Sequence, residues 1–265
     1  MRLQGVWTPL LRPGKNPRKR RVFDVKRGLI LGFCAALLAG CATTPPSPEA
    51  LTANDPYEAT NRATLKRNAL VDKYVVIPTV AVYFILVPEG GRRGVHNFLG
   101  NLSLPTIFVN DMLQGETKRA AQSLGRLAIN STLGLGGFFD PAAKVGIPGH
   151  GEDFGQTLAV WGVDEGPYLV LPFFGPSNPR DAAGLATDAL IDPTNQIPFK
   201  QHIWWAAGRE YFTLLDLRAQ TYQTVQTIQR NSIDYYASLR NLYRQLRQEQ
   251  IRNGKSEKPA DLPDF

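Results

Sequence analysis

The sequence predicts an all-α fold, and three observations carry that expectation. Apolar side chains recur at helical spacing in several segments, Phe154, Leu158 and Trp161 (i, i+4, i+7) among them. Prolines divide the chain: positions 56–198 hold twelve and positions 199–258 none, which predicts short elements with frequent turns followed by long helix. No convincing alternation of period two occurs. The one strand candidate is Tyr168–Leu171, short and flanked by Pro167 and Pro172.

Each element has a local rationale. Asp55 is placed to cap the first helix, with Pro56 at its first position and Glu58 closing a capping box. Arg62 follows Glu58 by four residues, in range for a pair on one face. Residues 74–87 are almost wholly apolar but only 14 long, which suits a buried or interfacial segment rather than a span. A helix opens at Pro105 and places Phe108, Val109, Met112 and Leu113 on one side. Residues 117–131 carry Ala120, Leu124 and Leu127 at helical spacing and stop at Gly134. Asn178-Pro179 starts another helix, with Ala182, Leu185, Ala186, Ala189 and Leu190 as its stripe. From Trp204 a stripe runs through Gly208, Tyr211, Leu215, Tyr222 and Val225. Asn231-Ser232 breaks it before a last helix over about residues 233–251.

Charge and chemistry exclude several functions. The net charge of +7 sits in the first 40 residues, which hold nine Lys or Arg and one acidic residue. From position 41 onward 21 basic and 22 acidic residues nearly cancel, so total charge gives no support for a nucleic-acid surface. His96, His150 and His202 have no metal-ligand partner at helical spacing, and His150 with Glu152 and Asp153 reads as a solvated Gly-rich loop. Neither a phosphate loop nor a nucleophile elbow is present: Gly134–Gly137 lacks the spacing, and Gly175–Pro179 lacks G-x-S-x-G. No enzyme, metal or cofactor is expected.

The N-terminus reads as an address. Lys26-Arg27 precede an apolar run from Gly28 to Leu37, and Leu38-Ala39-Gly40-Cys41 resembles a bacterial lipobox. That implies cleavage after Gly40 and acylation of Cys41, with residues 1–40 a signal; residues 1–21 are unusually long and basic for one, which a start codon assigned too far upstream would explain. Multiple acyl chains, at about 0.8 kcal/mol per buried methylene, hold a domain on a membrane stably. Ala42, in place of an Asp, implies sorting to the outer membrane. Residues 41–54 are then a flexible tether, 55–252 the helical domain and 253–265 a frayed tail.

Five ordered blocks carry a family resemblance: Asp55-Pro56-Tyr57-Glu58-Ala59-Thr60-Asn61-Arg62, Asn97–Leu102, Asn130–Asp140, Asp153–Leu158, and Gly166–Pro172 with Gly175-Pro176 and Arg180-Asp181. On these the chain resembles the VacJ/MlaA lipoproteins over about residues 55–195. The resemblance implies an all-helical ring in the outer membrane, mostly at the inner leaflet, with an amphipathic channel. It implies phospholipid as cargo, removed from the outer leaflet and passed to a soluble periplasmic carrier, MlaC, with a trimeric porin as partner. It also makes Trp161–Gly175 a flexible hairpin beside the channel. Gly162 and Gly166 would supply backbone freedom there, next to Pro167 and Pro172, and Tyr168, Leu169, Leu171, Phe173 and Phe174 an apolar lining. Asp55, Pro56, Glu58, Asn61 and Arg62 are explained by capping and pairing without a lipid role. Two other functions compete: a structural envelope lipoprotein without transport, and a lipid-anchored phospholipase.

Overall fold

A computed structural model describes residues 47–196 and 202–253. The signal segment, Cys41 and the tail beyond Asn253 lie outside the described residues, as does the His202 side chain. The architecture is all-α with one two-stranded hairpin. Helices α1 (Pro48–Thr52) and α2 (Glu58–Val71) lead through a π-helical turn, Asp72–Val76, into α3 (Ile77–Leu86). Helix α4 (Glu89–Leu113) turns at Gly115 into α5 (Thr117–Thr132), and the two pack along each other. Short helices α6 (Pro141–Lys144) and α7 (Phe154–Val160) precede β1 (Leu169–Leu171), β2 (Gly175–Ser177) and α8 (Pro179–Ile191). After a 3₁₀ turn at Pro193–Asn195 come α9 (His202–Asn231) and α10 (Tyr235–Arg252).

Several helix boundaries follow from ordinary capping. Asp153 accepts from the Gln156 amide and opens α7, Asn178 accepts from the Asp181 amide and opens α8, and Asp234 opens α10. Helix α7 ends in a Schellman motif, in which Gly162 N–H donates to Ala159 and Val163 N–H to Leu158. Gly162 therefore has φ +88° as a helix stop rather than as a hinge of the hairpin.

Four expectations need correction. Asp55 does not cap α2, whose N-cap is Tyr57 without a side-chain bond, because the Asp55 carboxylate is taken by distant partners. Pro105 lies inside α4 rather than at a helix start. Residues 74–87 are not an isolated run. The helix continues from Glu58 to Leu86, about 43 Å, and its apolar end is exposed or half-exposed except at Val80, which rules out the buried alternative and leaves the interfacial one. The described end of the expected tether is packed, not loose: Ala50 is buried, and Arg244 donates to the carbonyls of Ala53 and Asn54.

Close backbone approach positions two pairs of elements. A methyl on Gly184 would lie 2.3 Å from the Gly155 nitrogen where α7 meets α8. One on Gly137 (φ +98°) would lie 2.4 Å from Asn101 Cβ, where Asn101 donates to Ser131 and to the Gly136 carbonyl. Gly184→Ala is expected to lower unfolding free energy by about 1–3 kcal/mol through overpacking, measured by denaturant titration.

Candidate functional site

The face of α10 that carries Tyr236, Arg240, Tyr243 and Arg247 organises the site. Asp55 is fully buried and accepts from Tyr236 Oη (2.5 Å), Asn61 Nδ2 (2.8 Å) and Arg240 Nη1 (2.9 Å). Two helical turns further on, Tyr243 Oη and Arg247 donate to Asp181, and Arg247 also forks onto Asp153 at 2.6 and 2.7 Å. Each Tyr–Arg pair is spaced i, i+4, so both side chains project from the same strip. Burial would raise the Asp153 and Asp181 carboxyls, but the Arg247 bonds and charge outweigh it and hold both below the usual range. The same burial, with the carboxylates they donate to, pushes the Tyr236 and Tyr243 phenols up.

A second clamp fixes β1. Asn61 donates to the Tyr168 carbonyl and accepts from Val170 N–H; Asn68 donates to the Leu171 carbonyl and accepts from Phe173 N–H. The two asparagines are seven residues apart, about 10.5 Å along a helix. Their targets repeat after three residues, about 10 Å along a strand. The matching pitches let one helix hold the chain just before, within and just after β1, while β2 pairs with the strand itself (Leu169 opposite Ser177, Leu171 opposite Gly175).

The hairpin residues expected to line a channel separate into two groups. Tyr168 is not a lining residue. It is 1% exposed, stacked edge-on against Tyr236, and belongs to the core with Val170. Its phenol is raised by burial and by the nearby Asp55 charge. Gly166 (φ +70°) lies close to Pro179 and shapes the approach to β1, beside half-buried Pro167 and Leu169. The turn after Leu171, with exposed Pro172, Phe173 and Phe174, does stand at a cavity. Phe173 holds φ +67°, a left-handed conformation costly for an aromatic residue, kept by the Asn68 bond to its N–H.

That cavity has a volume of about 550 Å³. It lies between α2 with its π turn, the hairpin turn, α9 and the start of α10. Leu65, Val75, Phe173, Leu214, Leu215 and Val225 make most of its wall apolar, with the Arg218–Asp72 pair (2.7 Å) on its border. On the other side of the hairpin a cavity of about 380 Å³ has apolar walls from Leu171, Phe174, Leu185 and Leu246 and polar residues Asp153, Asp181, Asp188 and Arg247. Phe174 and Pro176 touch both spaces.

His150 is not in a solvated loop. Its Nε2 lies 3.0 Å from both Asp111 oxygens and 3.3 Å from Ser123 Oγ, which donates to Asp111 at 2.7 Å. A Ser–His–Asp relay needs one ring nitrogen for the serine and the other for the carboxylate. Here one nitrogen faces both, and Ser123 is fully buried. Asp111, His150 and Glu152 bring three ligand-type atoms within 4.8 Å of one another. The Arg119 guanidinium already meets that charge, 2.5 Å from Glu152 and 3.7 Å from Asp111. The cluster is assembled as an ion-pair network joining α4, α5 and the segment before α7.

The Tyr and Arg positions of α10 had a signal in the sequence, the 236, 240, 243, 247 spacing, but their partners lie up to 185 residues away. Asn68 gave no signal at all.

These features define a helical protein organised around an apolar cavity bordered by a two-strand hairpin. The model of the MlaA lipoprotein family matches residues 53–250, and the chain belongs to that family. It is 33% identical over 236 residues to the intermembrane phospholipid transport system lipoprotein MlaA of Haemophilus influenzae, covering 87% of this chain and 92% of that one. The same-named protein of Escherichia coli K12 is 33% identical over 239 residues, covering 88% and 91%. A solved chain from work on the structural basis for maintenance of bacterial outer membrane lipid asymmetry superposes with a TM-score of 0.66 at 31% identity. It covers 74% of this chain and 98% of that one.

Two outcomes follow for the clamps. Asp55→Ala leaves Arg240 without its carboxylate at a buried position and should cost about 3–5 kcal/mol of stability by denaturant titration. Asp234 is held down to about 2 by the Arg62 hydrogen bond, against an unfolded value near 3.9. A depressed carboxyl stabilises the fold above its unfolded pKa and loses that contribution as pH falls through the folded one. The stability gap between wild type and Asp234→Asn should therefore be full above about pH 5 and close toward pH 2.

Proposed function

We propose that this chain is an outer-membrane lipoprotein that carries phospholipid between membranes. In this reading it withdraws phospholipid misplaced in the outer leaflet and passes it to a soluble periplasmic carrier of the MlaC type, without covalent chemistry. Cys41 is the acylated anchor on the periplasmic side, and a trimeric porin is its neighbour in the membrane. The names of the Haemophilus and Escherichia relatives and the subject of the solved neighbour support the transport role.

One observation carries the reading: an apolar cavity of about 550 Å³ lies beside a helix whose apolar end faces outward. Ile85 and Leu86 are 81% and 73% exposed, while Asp55, Asn110, Asp111 and Thr157 are buried. Water disfavours that distribution and hydrocarbon favours it. The segment Tyr74–Leu86 extends about 20 Å, less than the hydrocarbon core of about 30 Å. It begins just past Asp72, which is tied to Arg218. A helix with a charged end and a short apolar end suits residence in one leaflet. Around it the domain would form a ring whose amphipathic channel includes the cavity, with acyl chains against Phe173, Phe174 and Leu215 and the headgroup toward polar borders.

The test is the phospholipid bound by purified, acylated protein. Val225→Trp fills the apolar cavity from α9 and is expected to lower bound lipid severalfold with the helical circular dichroism unchanged. In cells, deletion should expose phospholipid in the outer leaflet, and a Cys41→Ser gene should fail to correct it. Normal leaflet asymmetry in the deletion strain would sink the reading, as would undiminished lipid binding by the filled variant.

A further inference from the structure

A third cavity, of about 300 Å³, lies where the end of α3, the first turns of α4 and the middle of α9 meet. Its chemistry differs from that of the other two, because an arginine without a carboxylate partner (Arg92) and a buried carboxylate without an arginine partner (Asp216) line it together.

The positive side is built by α4. Arg92 donates to the Val87 carbonyl at 2.7 Å and lies over the Phe84 ring, 4.8 Å from its centroid. Those contacts fix the guanidinium without neutralising it; no described carboxylate comes within 4.0 Å. Arg93 has only Glu89, at 3.8 Å with both side chains largely exposed, a pair worth little. The arginines are the fourth and fifth residues of a 25-residue helix whose N-cap, Pro88, offers no side-chain acceptor. Glu89 at the first helical position is the acidic group of that turn, and its largely exposed side chain offsets the helix dipole and the two cations only weakly.

The negative side is built by α9. Asp216 is 8% exposed, and its contacts are His96 Nδ1 at 2.9 Å and Gln220 Nε2 at 2.7 Å. The buried carboxylates of Asp55, Asp181 and Asp192 each meet an arginine. Asp216 meets none among the described residues. Between the two sides the Tyr83 hydroxyl is buried without a hydrogen-bond partner, an unsatisfied donor of the kind that costs about 1–3 kcal/mol.

We propose that this cavity is a headgroup site for a phosphodiester that carries a primary ammonium, the group found in phosphatidylethanolamine. Arg92, Arg93 and the α4 amides take the phosphate; Asp216 takes the ammonium, and the Tyr83 hydroxyl donates to a phosphate oxygen. A simple anion fits less well, because Asp216 would face it unpaired. The outward apolar residues next to the site, Ile85 and Leu86, give the acyl chains a surface continuous with the headgroup. The inference rests on the phospholipid-carrying reading and adds a headgroup preference to it.

The experiment equilibrates the full acylated chain in detergent with equal phosphatidylethanolamine and phosphatidylglycerol and measures bound lipid by mass spectrometry. Wild type should favour the ethanolamine lipid by about fivefold or more, the scale of one charge-assisted contact. Asp216→Asn should bring the ratio toward one while total bound lipid is kept. Arg93→Gln, at an exposed side chain, should lower both lipids together and leave the ratio, which keeps the test open if Asp216→Asn does not fold. A wild type without preference overturns the site but leaves the transport reading standing, whereas a wild type that binds neither lipid removes both. An unchanged ratio in Asp216→Asn, or undiminished binding in Arg93→Gln, also overturns it. Soluble glycerophosphoethanolamine binding as tightly as the lipid would reassign the site to a free metabolite and overturn the lipid assignment.

Discussion

Everything in this fold that surrounds the apolar cavity depends on the pairing of buried carboxylates with the Tyr–Arg strip of α10. Asp55 sits just before α2, and Asp181 and the half-exposed Asp153 lie at the starts of α8 and α7; Asp55 and Asp181 could not stay ionised in the interior alone. One helix supplies phenols and guanidiniums to all three. Arg62 adds a link from α2 to Asp234, the cap of that same helix. The C-terminal helix thus acts as the tie between segments that enter the fold more than a hundred residues apart. Directional bonds of this kind remain effective where the hydrophobic effect weakens, in a lipid environment.

The distribution of polarity follows from that choice. With the interior held by ion pairs and amides, large apolar side chains are released to the outside and to the cavity wall. An ordinary soluble domain of this length does the reverse. The hairpin stands at the boundary between the two regimes. Its inner residues, Tyr168 and Val170, belong to the core, and its turn, Phe173 and Phe174, belongs to the cavity.

Much of the fold was legible from the chain. The change from proline-rich to proline-free sequence separated the short helices from the long C-terminal pair. The Asn178-Pro179 start placed one helix and the Phe154, Leu158, Trp161 spacing another, and Tyr168–Leu171 marked the strand of the hairpin. What failed shares one cause, a tertiary partner that overrides a local signal. Asp55 looks like a cap until Tyr236 and Arg240 are placed beside it. Tyr168 looks like lining until its ring is seen against Tyr236, and His150 looks solvated until Asp111 approaches from α4. Pro105 reads as a helix start, yet it is accommodated within α4. Of the site, the hairpin turn was visible in the sequence; the α10 strip showed a helical spacing but not its partners, and Asn68 showed nothing, because its meaning lies wholly in what it touches.

The two asparagines of α2 hold β1 by its peptide groups and by nothing else. Recognition of that sort is indifferent to which side chains the strand bears. Substitutions at Leu171 or Phe174 can therefore alter the apolar walls of the two cavities while the attachment of the hairpin stays as it was. The cradle and the upholstery are separate parts, and the second can change while the first is kept.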